Sequence, residues 1–158
     1  MSEIILKGII DEDFVNYRVP SMTLMFPKCT FKCGAEYCQN SALVRSDNIT
    51  VDIGDLCKRY INNPITEAIV CQGLEPFDSW GELRSLILTL RLHYACFDDI
   101  VIYTGYNKDE ISDKLKELET INNIVVKFGR YVPGQEPHYD NVLGVILVSD
   151  NQYAERIS

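Results

Sequence analysis

Three cysteines within ten residues are the part of this chain best suited to chemistry. Cys29, Cys33 and Cys38 are spaced C-x3-C-x4-C in the segment Pro27-Lys28-Cys29-Thr30-Phe31-Lys32-Cys33-Gly34-Ala35-Glu36-Tyr37-Cys38-Gln39-Asn40. Soft thiolates gathered in a short loop suit an iron–sulfur cluster or zinc. A closed structural zinc site takes four ligands. The two histidines, His93 and His138, are far away in sequence, and the nearest further thiol is Cys57. Three ligands without an evident fourth fit a cube with one iron left open, and an open metal position is where a substrate binds. The alternatives are free or structural thiols, or a zinc loop that borrows a distant cysteine. Cys57, Cys71 and Cys96 fall in helix or strand patterns and are expected as small buried core residues. Lys28 and Lys32 add positive charge beside the loop, where an anionic cluster would profit from it, although surface lysines are common.

The elements around this loop alternate between strand and helix patterns. Met22–Phe26 is a short apolar run that stops at Pro27 and reads as a buried strand, while residues 27 to 50 show no helical period and read as a long loop. Ile53, Leu56, Tyr60 and Ile61 recur with helical spacing behind a candidate N-cap, Asp52, and Pro64 ends that helix. Ala68–Cys71 is the next strand, followed by a turn at Gly73 and Pro76. Ser79 and Glu82 form a capping box, opening a helix whose face carries Leu83, Leu86, Ile87, Leu90 and Tyr94. Ile100–Thr104 is a strand closed by Gly105. Asn107 with Glu110 caps a helix through Ile111, Leu115 and Leu118, and Ile124–Phe128 and Val145–Val148 close the series as strands.

Strands separated by single amphipathic helices imply βα units and a mainly parallel sheet. The chain has 158 residues, whereas a full eight-fold barrel takes about 250. The expected fold is therefore α/β: an incomplete (β/α) barrel or an open, mainly parallel sheet with flanking helices, in one domain over residues 1–158. Ligands of such folds sit at the carboxyl ends of the strands. The cysteine loop follows the first core strand, and the turns at Gly73 and Gly105 follow later strands, so all three are expected at one edge.

A net charge of −8 argues against a broad nucleic-acid surface. The apolar runs are too short to span a bilayer, and the first residues do not read as a signal peptide. A cytoplasmic protein without nucleic-acid or membrane partners is expected, which favours metal or catalytic roles for its cysteines over disulfides. The segment Gly134–Asp140 holds a histidine between two acids and is expected to be a surface loop between two strands, the alternative being a second metal or partner site; His93 is expected to be structural.

The cysteine loop resembles the signature of the radical S-adenosylmethionine family, C-x3-C-x2-C with an aromatic residue before the third cysteine, a place taken here by Tyr37. Within that family the chain is similar to the activating proteins of anaerobic ribonucleoside-triphosphate reductase. Cys38-Gln39-Asn40 resembles their Cys-x-Asn, Gln72-Gly73-Leu74-Glu75-Pro76 their Gly-Gly-Glu/Asp-Pro turn, Tyr103-Thr104-Gly105-Tyr106 their Tyr-Thr-Gly-Tyr turn, and Ser149-Asp150-Asn151-Gln152 their Ser-x-Asn-Gln. The order is kept over nearly the whole chain. Two departures stand out: four residues, Gly34 to Tyr37, fill the second gap of the loop in place of two, and the glycine turn carries one inserted residue.

The resemblance implies a [4Fe–4S] cluster held by Cys29, Cys33 and Cys38, with S-adenosylmethionine bound beside it. Tyr37 would pack on the adenine, Gly73 would admit the methionine end, Glu75 would accept from its amino group, and Tyr103, Thr104 and Gly105 would line the adenosine side. It further implies a glycyl radical installed on the reductase partner, with electrons from a donor such as flavodoxin or ferredoxin. The competing expectations are a radical enzyme acting on another protein or a small molecule, and a non-catalytic iron–sulfur or zinc protein.

Overall fold

The computed structural model describes residues 2–29 and 45–158. Its centre is a six-stranded mixed sheet in the order β10(Tyr153–Arg156), β7(Ile124–Phe128), β6(Asp99–Tyr103), β5(Ala68–Gly73), β3(Ser21–Phe26), β2(Gly8–Asp13). β3, β5, β6 and β7 run parallel to their neighbours in that set, and β2 and β10 close the two edges antiparallel. Two small antiparallel sheets accompany it, β1(Glu3–Leu6) with β4(Ile49–Asp52) and β8(His138–Asp140) with β9(Val145–Leu147).

The parallel strands alternate side chains between two covered faces, as a two-residue period requires. Met22, Leu24 and Phe26, Ile69 and Cys71, Ile100 and Ile102, and Ile124, Val126 and Phe128 point to one face. Three helices bury their apolar sides against it: α1(Ile53–Ile61) through Ile53, Leu56 and Tyr60, α2(Trp80–Leu88) through Leu83, Leu86 and Ile87, and α3(Ser112–Leu118) through Leu115 and Leu118. On the opposite face, Val70, Val101 and Val125 meet Tyr17, Leu143 and Leu147. No described helix is long and apolar enough to cross a membrane.

Local chemistry sets the helix ends. Asp52 caps α1, its carboxylate accepting from the Asp55 N–H at 2.9 Å. The expected capping box of Ser79 and Glu82 does not form: Ser79 makes no side-chain cap, and Glu82 accepts from the Ile5 N–H of β1. The helical segment begins earlier, in a 3-10 turn over Pro76–Ser79 capped by Glu75. Pro76 sits at its start, where a missing N–H costs nothing. At the third helix, Glu110 reaches back to the Asn107 N–H at 2.9 Å, as the sequence pattern predicts.

The remaining differences concern edges and the end of the expected loop, where Ile49 and Thr50 already belong to β4 and pair with β1. Val145–Val148 does not continue the parallel series; β9 pairs with β8 in a separate hairpin, and His138–Asp140, expected as loop, is its other strand. The strand beside β7 is the C-terminal β10.

Candidate functional site

β3 runs out through Pro27 and Lys28 to Cys29, which is exposed at the carboxyl end of the sheet. Cys33, Cys38 and Tyr37 lie outside the described residues, as do Lys32 and Gly34. The turns after β5 and β6 reach the same edge, because both strands run parallel to β3.

Gly73 ends β5 hard against the end of β3. Its φ is +94°, and a Cβ there would lie 2.5 Å from the Phe26 nitrogen and 2.7 Å from the Met25 Cα. Only glycine allows both the conformation and the approach. Two backbone hydrogen bonds then fasten the turn to the start of the cysteine loop: Leu74 N–H donates to Phe26 O at 3.0 Å, and Glu75 N–H to Lys28 O at 2.7 Å.

The Glu75 side chain is fully buried and reaches sideways. Its carboxylate accepts from Phe77 N–H at 3.1 Å, from Gly105 N–H at 2.8 Å and from the Thr104 hydroxyl at 2.9 and 3.0 Å. The Tyr106 hydroxyl donates to Asp78 at 2.6 Å, a second tie between the β5 and β6 turns. The series continues to β7. Gly129 N–H donates to Tyr106 O, Gln152 Nε2 to Gly129 O at 3.2 Å, and Asn151 Nδ2 to Arg130 O at 2.8 Å. Gly129, with φ +101°, leaves room for Asn151, whose carbonyl oxygen a Cβ would meet at 3.1 Å. The four turns are thus laced in strand order. Asn151 and Gln152 of the segment Ser149-Asp150-Asn151-Gln152 supply the last ties.

Two buried ionisable groups stand at this edge. Burial pushes the Glu75 carboxyl up to about 7, against the pull of its N–H and hydroxyl donors. Burial likewise brings the Lys127 ammonium down to about 8, with Glu75 acting in the other direction. Lys127 Nζ donates to Gly129 O at 3.0 Å and lies 5.7 Å from the Tyr103 ring centroid. The Tyr103 hydroxyl donates to Asn16 O, on the face away from the helices. Lys127 escaped notice in the sequence. The available signal was a lone cation within the apolar run Ile124-Val125-Val126-Lys127-Phe128 at a strand's carboxyl end.

The donor chemistry fits a cluster at the loop. Cys57 and Cys71 are wholly buried among aliphatic residues, and burial raises their thiols to about 11 and 12, far from ligating thiolates. Cys96 lies before β6, toward the opposite edge, with its thiol also raised by burial. Cys29, exposed and leading the loop, is the described thiol suited to ligation. Among the described residues, no group of three or more His, Cys, Asp or Glu is arranged to hold a metal ion.

A family model described as 4Fe-4S single cluster domain matches residues 17–152, from before β3 to the Gln152 tie. No curated protein gives a significant match to the chain.

Proposed function

The chain belongs to the 4Fe-4S single cluster domain family, and from that premise we propose that it is a radical S-adenosylmethionine enzyme that activates a glycyl-radical partner. The reading assigns Cys29, Cys33 and Cys38 to the cluster. The chemistry such a cluster supplies when bound and reduced is one electron to the sulfonium, so that a carbon–sulfur bond breaks to give methionine and a 5′-deoxyadenosyl radical, which takes a hydrogen atom from the target.

The observation that carries this reading is the fastening of the Gly73–Glu75 turn onto the strand end that opens the cysteine loop. It brings two separate segments of the signature to one edge. Thr104 and Gly105 are bonded to the same turn, so the cofactor is assigned to the edge formed by the ends of β3, β5 and β6. Tyr103 ends β6 there. Tyr37, just before Cys38, is assigned to the adenine by the same pattern.

The proposed partner is the glycyl-radical subunit of anaerobic ribonucleoside-triphosphate reductase, with flavodoxin or ferredoxin as electron donor. The test is electron paramagnetic resonance on the reconstituted protein, reduced with S-adenosylmethionine present, with and without that subunit. A stable organic radical that appears only with the subunit supports the activase. Turnover of S-adenosylmethionine without any radical on the subunit points instead to another protein or small-molecule target.

A further inference from the structure

We infer that Glu75 is a positioning residue for the cluster loop: its side chain locks the β5 turn so that its backbone N–H holds the Lys28 carbonyl, and with it Cys29. The inference rests on the reading that Cys29 is a cluster ligand.

Each part of Glu75 is fixed by a different neighbour. The backbone N–H is bonded to Lys28 O at 2.7 Å, one residue before Cys29. The following Pro76 restricts Glu75 to extended backbone, and its φ and ψ are −144° and 104°. One carboxylate oxygen accepts from Phe77 N–H and the other from Gly105 N–H, with the Thr104 hydroxyl near both. The side chain therefore joins the 3-10 turn on one side to the β6 end on the other. The main chain between them is held in the one posture that meets Lys28.

The geometry requires a carboxyl group. Two backbone N–H donors approach, one at each oxygen. An amide offers one acceptor and turns its NH2 toward the second donor, so glutamine cannot replace glutamate. Burial makes the mismatch costly, because no water replaces the lost partner. A ligand whose backbone is held before the metal arrives loses less freedom on binding, and groups behind metal ligands typically affect metal affinity by about 10- to 100-fold.

The experiment uses the full chain, reconstituted anaerobically with iron and sulfide, as wild type, Glu75→Gln, Thr104→Val and Asp140→Asn. Asp140 is a control for stability: it is another buried carboxylate, accepting from Val142, Leu143 and Ala154 N–H, none of which belongs to the β5 turn. Iron release to a ferrous chelator is timed, and the spectrum of the reduced cluster is recorded. Glu75→Gln is expected to release iron about tenfold faster or more and to shift the reduced-cluster spectrum. Thr104→Val should release it several-fold faster, whereas Asp140→Asn should lower the melting temperature and leave release at the wild-type rate. Release from Glu75→Gln within twofold of wild type overturns the inference, as does equally fast release from Asp140→Asn. If Glu75→Gln does not fold, an unchanged rate in Thr104→Val overturns it. A wild type that takes up no cluster refutes the proposed function instead.

Discussion

The two ends of the parallel sheet handle buried charge differently. At the amino end, the Arg91 guanidinium is almost fully buried and donates to the carbonyls of Cys96 and Asp98 at 2.8 Å, of Asn122 at 2.9 Å and of Asn123 at 3.3 Å. Around it, Tyr60 donates to Asp98 at 2.7 Å, Tyr17 to Asp99 at 2.8 Å, and Arg156 pairs with Asp99 through two contacts at 3.0 Å. Every one of these charges is matched by the chain itself. At the carboxyl end, among the described residues, Lys127 has one carbonyl and an aromatic ring, and Glu75 has three donors but no ion-paired cation. Their proton affinities are displaced by burial in opposite directions. Burial also lowers the proton affinity of Arg91, so the ends differ in the partners offered to a buried cation: four carbonyls at one end, one carbonyl and a ring beside an exposed cysteine at the other.

Mutations should separate the two ends. Arg91→Ala is expected to have the largest effect on stability, a loss of about 3–5 kcal/mol, because several buried carbonyls lose a charged donor. Chemical denaturation measures it, and the folded fraction should still load iron. Gly73→Ala should cost about 2–3 kcal/mol through its positive φ and the contact with Phe26. Unlike Arg91→Ala, it should lower iron content even in the folded fraction; equal iron loading by the two variants would erase the distinction between the ends.

The pH dependence sharpens the contrast further. The Glu75 pKa is raised in the folded state, from 4.5 to about 7. The folded protein therefore holds a proton that the unfolded chain releases, and stability falls as pH rises through that window, by up to about 1.4 kcal/mol per pH unit. Glu75→Gln should remove this slope in denaturation curves between those values. Lys127→Met should have the smallest effect, a gain of about 1 kcal/mol at neutral pH, since it removes a buried cation that has no ion partner among the described residues. Lys127 is protonated in both states below about 8 and only in the unfolded state from there to 10.5. Wild-type stability therefore rises with pH across that window, and the advantage of the methionine variant should shrink there.

The repeating core was legible because its signals are long-range and periodic. β3, β5, β6 and β7 are short apolar runs between amphipathic helices, and parallel order alone sends the Gly73 and Gly105 turns to the edge where Cys29 emerges. The edge strands were not legible. β2 carries Asp11, Glu12 and Asp13, and β10 carries Glu155 and Arg156, so their sequences lack a buried strand's apolar run. Ser79 matched a capping pattern, but Glu75, fixed before Pro76, took the capping position. Within the site, residue types could be read, but the partners of Glu75 lie in a turn 29 residues away, and Lys127 is set by its burial, by the Tyr103 ring 24 residues away and by the charge of Glu75.

The most direct test of the central claim is 5′-deoxyadenosine formation. Wild type and Cys38→Ala would be reconstituted anaerobically with iron and sulfide, assayed for bound cluster, then reduced with dithionite in the presence of S-adenosylmethionine. The account predicts 5′-deoxyadenosine and methionine from the wild type and none from the variant. A wild type that carries its full cluster yet leaves S-adenosylmethionine intact would contradict it, and would make the chain an iron–sulfur protein of binding or electron transfer.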